Sequence, residues 1–260
     1  MNELLEIAIK AAVTAGSEIM DIYSNDFQIS LKSDYSPLTE ADEKANEVIN
    51  AILKDTGIPL ISEENKQVNF EDRKNFDSCW MIDPLDGTKE FIKRNGEFTV
   101  NIALIKNNRP VLGVIYVPVT QTLYYAVAAD NKGYKVQLGN HVFSKEAEVQ
   151  FLIPRLAVEN SIIVVASRSH LSTETESYIT NLEQSGKKVN LISAGSSLKF
   201  CLLAEGKANI YPRFAPTMEW DTAAGHAICN AVGLKVMQVN LNKELEYNKE
   251  NLLNPFFIVN

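Results

Sequence analysis

Apolar residues recur at spacings of three and four along the first part of the chain. Between residues 3 and 23 the series begins with Leu4 and Ala8, and polar residues fill the positions between. A similar series covers residues 41–55 and ends shortly before Gly57. Such spacing brings apolar side chains onto one face of a helix, and glycine commonly follows a helix end. We therefore predict two amphipathic helices.

Short runs of apolar, β-branched and aromatic residues predict strands in the next part of the chain. Residues 59–61 and 79–82 are two such runs, and acidic residues follow each of them closely. Three more runs cover residues 99–105, 111–116 and 123–127. Because only short connections separate these three runs, we expect an antiparallel meander.

Strands alternate with helices in the second half of the sequence. The predicted elements are strand 162–166, helix 172–184, strand 188–192, helix 196–204, strand 209–211 and helix 222–232. This alternation predicts α/β layering. The mixed, charged stretch 129–154 is the candidate boundary. We predict an N-terminal α+β lobe over residues 1–140 and a C-terminal α/β lobe over residues 141–260.

Composition excludes several classes of protein. The 260 residues include 25 Lys and Arg against 33 Asp and Glu, which gives a formal net charge of −8. Hydrophobic residues make up 45% and charged residues 22%, as in globular proteins rather than disordered or fibrous ones. The excess of negative charge would repel a nucleic-acid backbone, so we predict no nucleic-acid partner.

Two further features bear on location. The spacing of the cysteines Cys79, Cys201 and Cys229 suits neither a disulfide framework nor a zinc pair, which favours a reducing compartment. Residues 110–129 carry no charge, but Pro118 interrupts the run, and its flanks have the composition of a strand pair. We predict a cytoplasmic protein without a transmembrane segment, with peripheral association with the inner membrane left open.

Acidic residues are the candidate chemistry. Asp83 and Asp86 lie three residues apart at the end of a predicted strand, with Pro84 between them and Gly87 after them. Two carboxylates and a turn carbonyl can converge on one point, and Mg²⁺ prefers such oxygen ligands. The same residues also satisfy the preferences of an ordinary β-turn, and this segment alone leaves both interpretations open.

Three more acidic groups lie beside predicted strand or helix ends, and each has a purely structural interpretation. Glu63 and Glu64 follow a strand and could lie in a solvated loop. Thr39 and Asp42 fit a helix capping box, and Asp221 could be the N-cap of the last helix. One shared cation site explains the four groups more simply than four coincidences, although the sequence by itself does not require them to converge.

Three motifs resemble those of the inositol monophosphatase superfamily, whose members are Mg²⁺-dependent, lithium-sensitive phosphatases. They are LISEE at 60–64, WMIDPLDGT at 80–88 and WDTAAG at 220–225. The resemblance extends over nearly the whole chain. It implies the family's layered α/β sandwich of two lobes, with the metal motifs at their junction.

Longer segments are similar to one branch of this superfamily, the bacterial 3'(2'),5'-bisphosphate nucleotidases of sulfate assimilation. These segments are 86–105, 167–170, 195–201 and 211–214. Inositol phosphatases usually follow their Asp-Gly-Thr motif with Thr-Asn-Phe, whereas this chain has Lys-Glu-Phe at 89–91. That departure favours the nucleotidase branch.

Carried over position by position, the resemblance implies roles for individual residues. The implied metal ligands are Glu63, Asp83, Asp86, Asp221 and the carbonyl of Leu85, with Glu64 supporting them. Asp42 and Thr88 resemble the catalytic pair that orients the attacking water. The implied substrate contacts are Glu63, Leu85, Asp86, Gly87, Thr88, His170, Ser196, Lys199, Arg213 and Asp221.

The activity implied by the resemblance is hydrolysis of the 3'-phosphate of adenosine 3',5'-bisphosphate, which yields AMP and phosphate and recycles the by-product of sulfate assimilation. Two or more Mg²⁺ ions would be the cofactors, and the partner would be a small-molecule nucleotide. An inositol or sugar monophosphatase is the alternative within the superfamily. A catalytically silent nucleotide sensor or a metal-binding interaction protein is the alternative outside it, and Asp42 with Thr88 argues against both because binding alone needs no water-orienting pair.

Overall fold

The computed structural model describes residues 2–31, 37–144, 146–155, 160–167 and 172–260. Within these ranges the α-helices are α1 (Asn2–Tyr23), α2 (Glu40–Lys54), α3 (Phe70–Arg73), α4 (Thr88–Ile92), α5 (Thr173–Gln184), α6 (Leu198–Ala204) and α7 (Glu219–Ala231), and a short 3-10 helix covers Ala128–Asp130. The strands are β1 (Ile29–Leu31), β2 (Pro37–Thr39), β3 (Leu60–Ser62), β4 (Ser78–Asp86), β5 (Thr99–Lys106), β6 (Arg109–Val117), β7 (Thr122–Val127), β8 (Lys132–Gln137), β9 (Val149–Phe151), β10 (Ser161–Ser167), β11 (Lys188–Ala194), β12 (Tyr211–Arg213), β13 (Val236–Gln238) and β14 (Phe257–Val259).

The two N-terminal helices form where the apolar spacing predicts them. Ala8 and Ile19 on the apolar face of α1 are fully buried. Thr39 caps α2: its hydroxyl accepts a hydrogen bond from the Ala41 N–H at 3.2 Å, and the Asp42 carboxylate accepts one from the Thr39 N–H at 2.8 Å. The predicted capping box therefore forms, and it holds the Asp42 side chain at the start of the helix.

The strands from β3 to β9 form one sheet in sequence order. β3 and β4 are parallel, and every later neighbouring pair is antiparallel, which confirms the predicted meander. The uncharged stretch forms the β6–β7 pair, with Leu112 opposite Val127. Among the described residues, none of the helices combines the length and apolar character needed to cross a lipid bilayer.

Two strands that the residue pattern did not predict, β8 and β9, extend this sheet. In β8 only Gly133 and Val136 are buried, and all three residues of β9 are exposed. An edge strand with few buried positions lacks the apolar run or strict alternation on which sequence prediction depends.

Alternate residues of the central strands face two different cores. In β4, Trp80 and Ile82 pack with α1 and α2, whereas Cys79 and Met81 pack with α6 and α7. All four side chains are buried. Because both faces of the sheet are covered, the strand is continuously apolar instead of alternating, and it ends in the acidic motif.

Beyond α6 and α7, the C-terminal part adds two small sheets and a further helix. β10 and β11 pair in parallel, and β14 lies between β12 and β13. A bridge between Val164 and Ile210 joins these sheets, and Tyr178 and Leu182 of α5 pack against the apolar cluster of Ile162, Val164 and Ile210. Helices and sheets thus alternate in layers, which confirms the predicted α/β class. The division into lobes at residue 140 stays a prediction.

Several element boundaries in this part differ from the prediction, and α6 for example begins at Leu198 instead of residue 196. The last helix begins at Glu219 instead of the predicted residue 222, and its N-cap is Met218, so the alternative interpretation of Asp221 as an N-cap is wrong. Asp221 lies in the first turn, and its carboxylate accepts a hydrogen bond from the Met218 N–H at 2.9 Å, which stabilises the earlier start. β12 begins at Tyr211 because the two residues before it bond to β10, so Arg213 belongs to the strand instead of following it.

Candidate active site

The predicted site residues converge on a pocket between the end of β4, the start of α7 and the loop before α6. Those that line it are Glu63, Asp83, Leu85, Asp86, Gly87, Thr88, Ser196, Lys199, Arg213 and Asp221. Asp42 is buried and contacts Thr88 without lining the pocket. His170 lies outside the described residues. The fold therefore brings together candidate residues from both halves of the chain.

Three carboxylates form the acidic end of this pocket. Oxygen atoms of Glu63, Asp83 and Asp221 all lie within 4.8 Å of one another. Glu63 follows β3, and its N–H donates to the Ile82 carbonyl at 3.1 Å, so the parallel β3–β4 pairing brings Glu63 beside Asp83. Asp221 reaches the same point from the first turn of α7. The convergence that the sequence did not require is present in the structure.

Burial and mutual repulsion act together on these carboxylates. Asp83 is 2% exposed, and burial raises its pKa well above the usual range, with Glu63 and Asp86 adding to the rise. Burial also raises the pKa of Asp221, reinforced by Asp86 and Glu63. Neighbouring like charges disfavour ionisation, whereas a bound cation favours it. A donor set made of oxygen atoms fits a hard divalent cation.

Asp86 is held by two residues that the sequence analysis did not single out. Its Oδ2 accepts hydrogen bonds from the Ser197 hydroxyl at 2.9 Å and from the Asn101 side-chain amide at 3.2 Å. The Ser197 hydroxyl also lies 2.9 Å from the Asp221 carbonyl oxygen. These contacts connect β4 and β5 with α7 at the acidic end. Asn101 is a polar residue within an apolar strand, which is the sequence signal that could have identified it.

A hydroxyl and a carboxylate form a pair between the end of β4 and the start of α2. The Thr88 hydroxyl donates to Asp42 Oδ1 at 3.0 Å, and Asp42 Oδ2 accepts from the Thr39 hydroxyl at 2.6 Å. Gly87 permits this turn, because its φ is +96° and a Cβ there would lie 3.1 Å from the Glu97 carbonyl oxygen. The capping and orienting interpretations of Asp42 are compatible, since its two oxygens have different partners.

Cationic and polar groups form the other end of the pocket. Lys199 is 4% exposed in α6, and its ammonium group donates to the carbonyls of Ala194 and Ser196. Burial lowers the pKa of Lys199 to about 8, while Asp86 acts in the opposite direction. The Ser196 hydroxyl and Arg213 Nε are buried and have no hydrogen-bond partner among the described residues. A ligand with acceptor oxygens would satisfy both groups.

Comparison with known families covers almost the full length of the chain. A family model described as the inositol monophosphatase family matches residues 1–255. The chain belongs to the inositol monophosphatase family. Members of this family are metal-dependent, in agreement with the cluster of carboxylates at the acidic end. Family membership confirms the resemblance inferred from the motifs.

Individual members of the inositol monophosphatase family are similar to this chain to different degrees. The 3'(2'),5'-bisphosphate nucleotidase CysQ of Salmonella typhimurium is 46% identical, over 98% of this chain and 99% of that protein. The crystal structure of CysQ from Bacteroides thetaiotaomicron is 51% identical, with a TM-score of 0.87 and coverage of 99% of this chain and 96% of that chain. The IMPase of Thermotoga maritima is 20% identical with a TM-score of 0.72, covers 100% of this chain and 92% of that chain, and shares the fold alone.

Proposed function

We propose that this chain is a 3'(2'),5'-bisphosphate nucleotidase that hydrolyses the 3'-phosphate of adenosine 3',5'-bisphosphate and leaves AMP. The observation that carries the proposal is a single pocket with an acidic end suited to a metal ion and a cationic end suited to a second phosphate. A substrate with two phosphate groups uses both ends, whereas a monophosphate uses one. The name of the Salmonella relative, a 3'(2'),5'-bisphosphate nucleotidase, supports the same class of substrate.

Mg²⁺ is the proposed cofactor. The residues that would hold it are Glu63, Asp83, Asp86, Asp221 and the carbonyl of Leu85. These donors are all oxygen atoms, and a divalent cation would offset the repulsion among the carboxylates. When bound, two or more Mg²⁺ ions would offset charge on the phosphoryl oxygens and the leaving alkoxide and would acidify water. The protein itself then contributes orientation, without a covalent nucleophile.

Thr88 and Asp42 would orient the attacking water. Because the Thr88 hydroxyl donates a hydrogen bond to Asp42, its lone pairs remain available to accept a hydrogen bond from water in the pocket. Thr39 holds the second oxygen of Asp42, which keeps the carboxylate from rotating. The backbone N–H groups of Gly87 and Thr88, at the adjoining turn, would bind the phosphate that is released.

The second phosphate of the nucleotide would bind at the cationic end. Lys199 offers an ammonium group held by two carbonyl oxygens, and Ser196 and Arg213 offer donors that the described residues leave without acceptors. We assign His170 to the same group on the resemblance of its motif. An inositol or sugar monophosphate carries no second phosphate for these residues to bind.

We further propose that the enzyme acts in the cytoplasm on a free nucleotide. Cys79, Cys201 and Cys229 are free and buried, which agrees with a reducing compartment. The net charge of −8 disfavours a nucleic-acid backbone as partner.

Phosphate release in the presence of Mg²⁺ tests the proposed substrate. We expect kcat/KM for adenosine 3',5'-bisphosphate to exceed that for inositol 1-phosphate by at least about 100-fold, because buried donors are left unpaired by the smaller substrate. Equal or higher activity on inositol 1-phosphate would instead identify a monophosphatase of the same family. Nucleotide binding without phosphate release from either compound would identify a sensor.

A further inference from the structure

A C-terminal segment, residues 244–254, lies behind the pocket and contacts two elements that position carboxylates of the acidic end. One is α7, whose first turn carries Asp221. The other is α3, which directly follows the loop that begins with Glu63. The two carboxylates are remote in sequence, so their spacing depends on contacts that connect these elements.

Asn248 is a residue of this segment that contacts both elements. Its amide oxygen accepts from the Arg73 guanidinium at 2.8 Å, and its amide N–H donates to the Arg73 carbonyl at 2.8 Å. Its backbone N–H donates to the Glu219 carboxylate at 2.5 Å. Asn248 is 5% exposed and has a φ of +60°, a left-handed conformation that asparagine tolerates well. One buried residue thus binds α3 and α7 at the same time.

Arg73 connects Asn248 with the loop that carries Glu63. Its buried guanidinium also donates to the Glu250 carbonyl at 2.9 Å and, through Nε, to the Val68 carbonyl at 3.3 Å. Val68 belongs to the loop between Glu63 and α3. A planar guanidinium directs its donors along fixed lines, so these contacts hold the loop in a defined position against the 244–254 segment.

Glu219 completes the connection on the side of α7. It is fully buried, and its carboxylate accepts hydrogen bonds from the backbone N–H groups of Asn248 and Lys249 and from the Lys249 ammonium group. The Glu219 N–H donates to the Leu252 carbonyl at 2.9 Å. Because Glu219 lies two residues before Asp221, these bonds fix the turn from which the Asp221 carboxylate enters the pocket.

We propose that Asn248, together with Arg73 and Glu219, is a positioning residue that sets the spacing of Glu63 and Asp221 and thereby the affinity of the pocket for a divalent cation. The three residues lie outside the pocket lining, so they act through the carboxylates and do not touch substrate. Partners that hold metal ligands in place commonly contribute about 10- to 100-fold to metal affinity. The inference rests on the metal-dependent activity proposed above.

The variant Asn248→Gly tests this role. Glycine keeps the left-handed backbone and the N–H bond to Glu219, and it removes only the amide that binds Arg73. Calorimetric titration of the metal-free full chain with MgCl₂ alone should give a Kd about 10-fold above that of the wild type. The Mg²⁺ concentration for half-maximal turnover should shift by the same factor, while KM for the bisphosphate at saturating Mg²⁺ stays within about twofold.

A second variant and a matched control separate positioning from general destabilisation. Arg73→Met breaks the same connection from α3 and should also weaken Mg²⁺ binding about 10-fold. Glu246→Gln is the control, because the Glu246 carboxylate pairs with Lys243 at 2.6 Å and Arg109 at 3.7 Å, outside the connection, and Mg²⁺ binding should be unchanged.

A lower Tm with a wild-type Mg²⁺ Kd in both Asn248→Gly and Arg73→Met would overturn the proposal and leave Asn248 a structural residue. The comparison of Mg²⁺ Kd values does not depend on the proposed substrate, because the titrations use MgCl₂ alone. Wild-type protein that binds Mg²⁺ but does not prefer the bisphosphate would reject the nucleotidase assignment and leave the binding comparison intact.

Discussion

Two acidic residues in the first turn of α7, the fully buried Glu219 and the partly buried Asp221, lie in opposite electrostatic surroundings. Glu219 faces the 244–254 segment, where the Lys249 ammonium group and two backbone N–H groups bind it. Asp221 faces the pocket, where Asp86 and Glu63 add to the effect of burial on its pKa. A buried charge that the protein pairs internally holds the fold together, whereas one set among like charges is suited to an ion from outside.

Two lysines repeat this contrast. Lys249 binds the carboxylate of Glu219, so its charge has an internal partner. Lys199 is buried at the pocket, and within the described part of the chain its ammonium group donates hydrogen bonds only to the carbonyls of Ala194 and Ser196. Burial lowers the pKa of Lys199 to about 8. Side chains around the pocket therefore carry charges suited to a ligand, and those behind α7 carry charges suited to each other.

The largest expected effect comes from the acidic end. Asp83→Asn should lower Mg²⁺-dependent turnover by on the order of 10³-fold, because the amide keeps the shape but not the charge that a cation needs. The metal-free variant should unfold at the same or a higher Tm than the wild type, because one of several repelling charges is gone. Phosphate release measures the turnover, and scanning calorimetry measures the Tm. Near-normal turnover would remove Asp83 from the metal site.

The next largest effect is expected at the cationic end. Lys199→Met should raise KM for the bisphosphate by about 10- to 100-fold, the usual contribution of a charge-assisted hydrogen bond, with a smaller change in kcat. Lys199 has a pKa near 8, so it is charged below that pH and loses its charge as the pH rises through it. Wild-type KM should therefore increase above pH 8, and the variant should lack this increase. A KM that the substitution leaves unchanged would exclude Lys199 from substrate binding.

Glu219→Gln tests the opposite side of α7. The amide cannot accept the full set of bonds from Asn248 and Lys249, so we expect the free energy of unfolding to fall by about 1–3 kcal/mol. Turnover at saturating Mg²⁺ should stay within about twofold of the wild type, unlike that of Asp83→Asn. Chemical denaturation measures the free energy of unfolding, and phosphate release measures turnover.

The control for this substitution is Glu71→Gln, which removes an exposed pair with Lys74. An exposed pair of this kind contributes about 0–1 kcal/mol, so little change is expected. If Glu219→Gln is as harmless to stability as Glu71→Gln, the contrast between the two sides of α7 does not hold.

The smallest expected effect is a dependence of stability on pH. His226 is fully buried between the Tyr247 hydroxyl, at 2.9 Å from Nδ1, and Glu244, at 3.0 Å from Nε2. Burial lowers the pKa of His226 in the folded state, so the unfolded chain takes up a proton first as the pH falls below about 6.5. The hydrogen bond with His226 lowers the pKa of Glu244, which adds a similar loss of stability below about pH 4.5.

We therefore expect Tm to decrease between pH 7 and pH 5, with a loss of up to about 1.4 kcal/mol for each pH unit. In His226→Gln this slope should be shallower, since no imidazole remains to titrate. Differential scanning calorimetry of both proteins at several pH values measures it. Parallel slopes for the two proteins would contradict the assignment of the effect to His226.

The parts of the fold that depend on short-range patterns could be predicted from the sequence. The spacing of apolar residues indicated α1 and α2, and dense apolar runs indicated β4 to β7, because these elements bury whole faces. Strands β8 and β9 bury too few side chains to produce such a pattern. The prediction placed the start of α7 three residues late, because the bond from the Met218 N–H to the Asp221 carboxylate that stabilises the first turn has no apolar pattern to mark it.

By itself, the sequence determined the types of the main elements, the acidic motifs at their ends and the resemblance to a metal-dependent family. These depend on residues close together in the chain, or on motifs that can be compared directly. The resemblance implied that Glu63, Asp83 and Asp221 share a metal site, and the tertiary structure shows that they meet. Only the tertiary structure decided that Ser197 and Asn101 hold Asp86 and that Asn248 joins α3 to α7. Such contacts depend on distances between remote segments, which are set only when the sheet and the helices pack together.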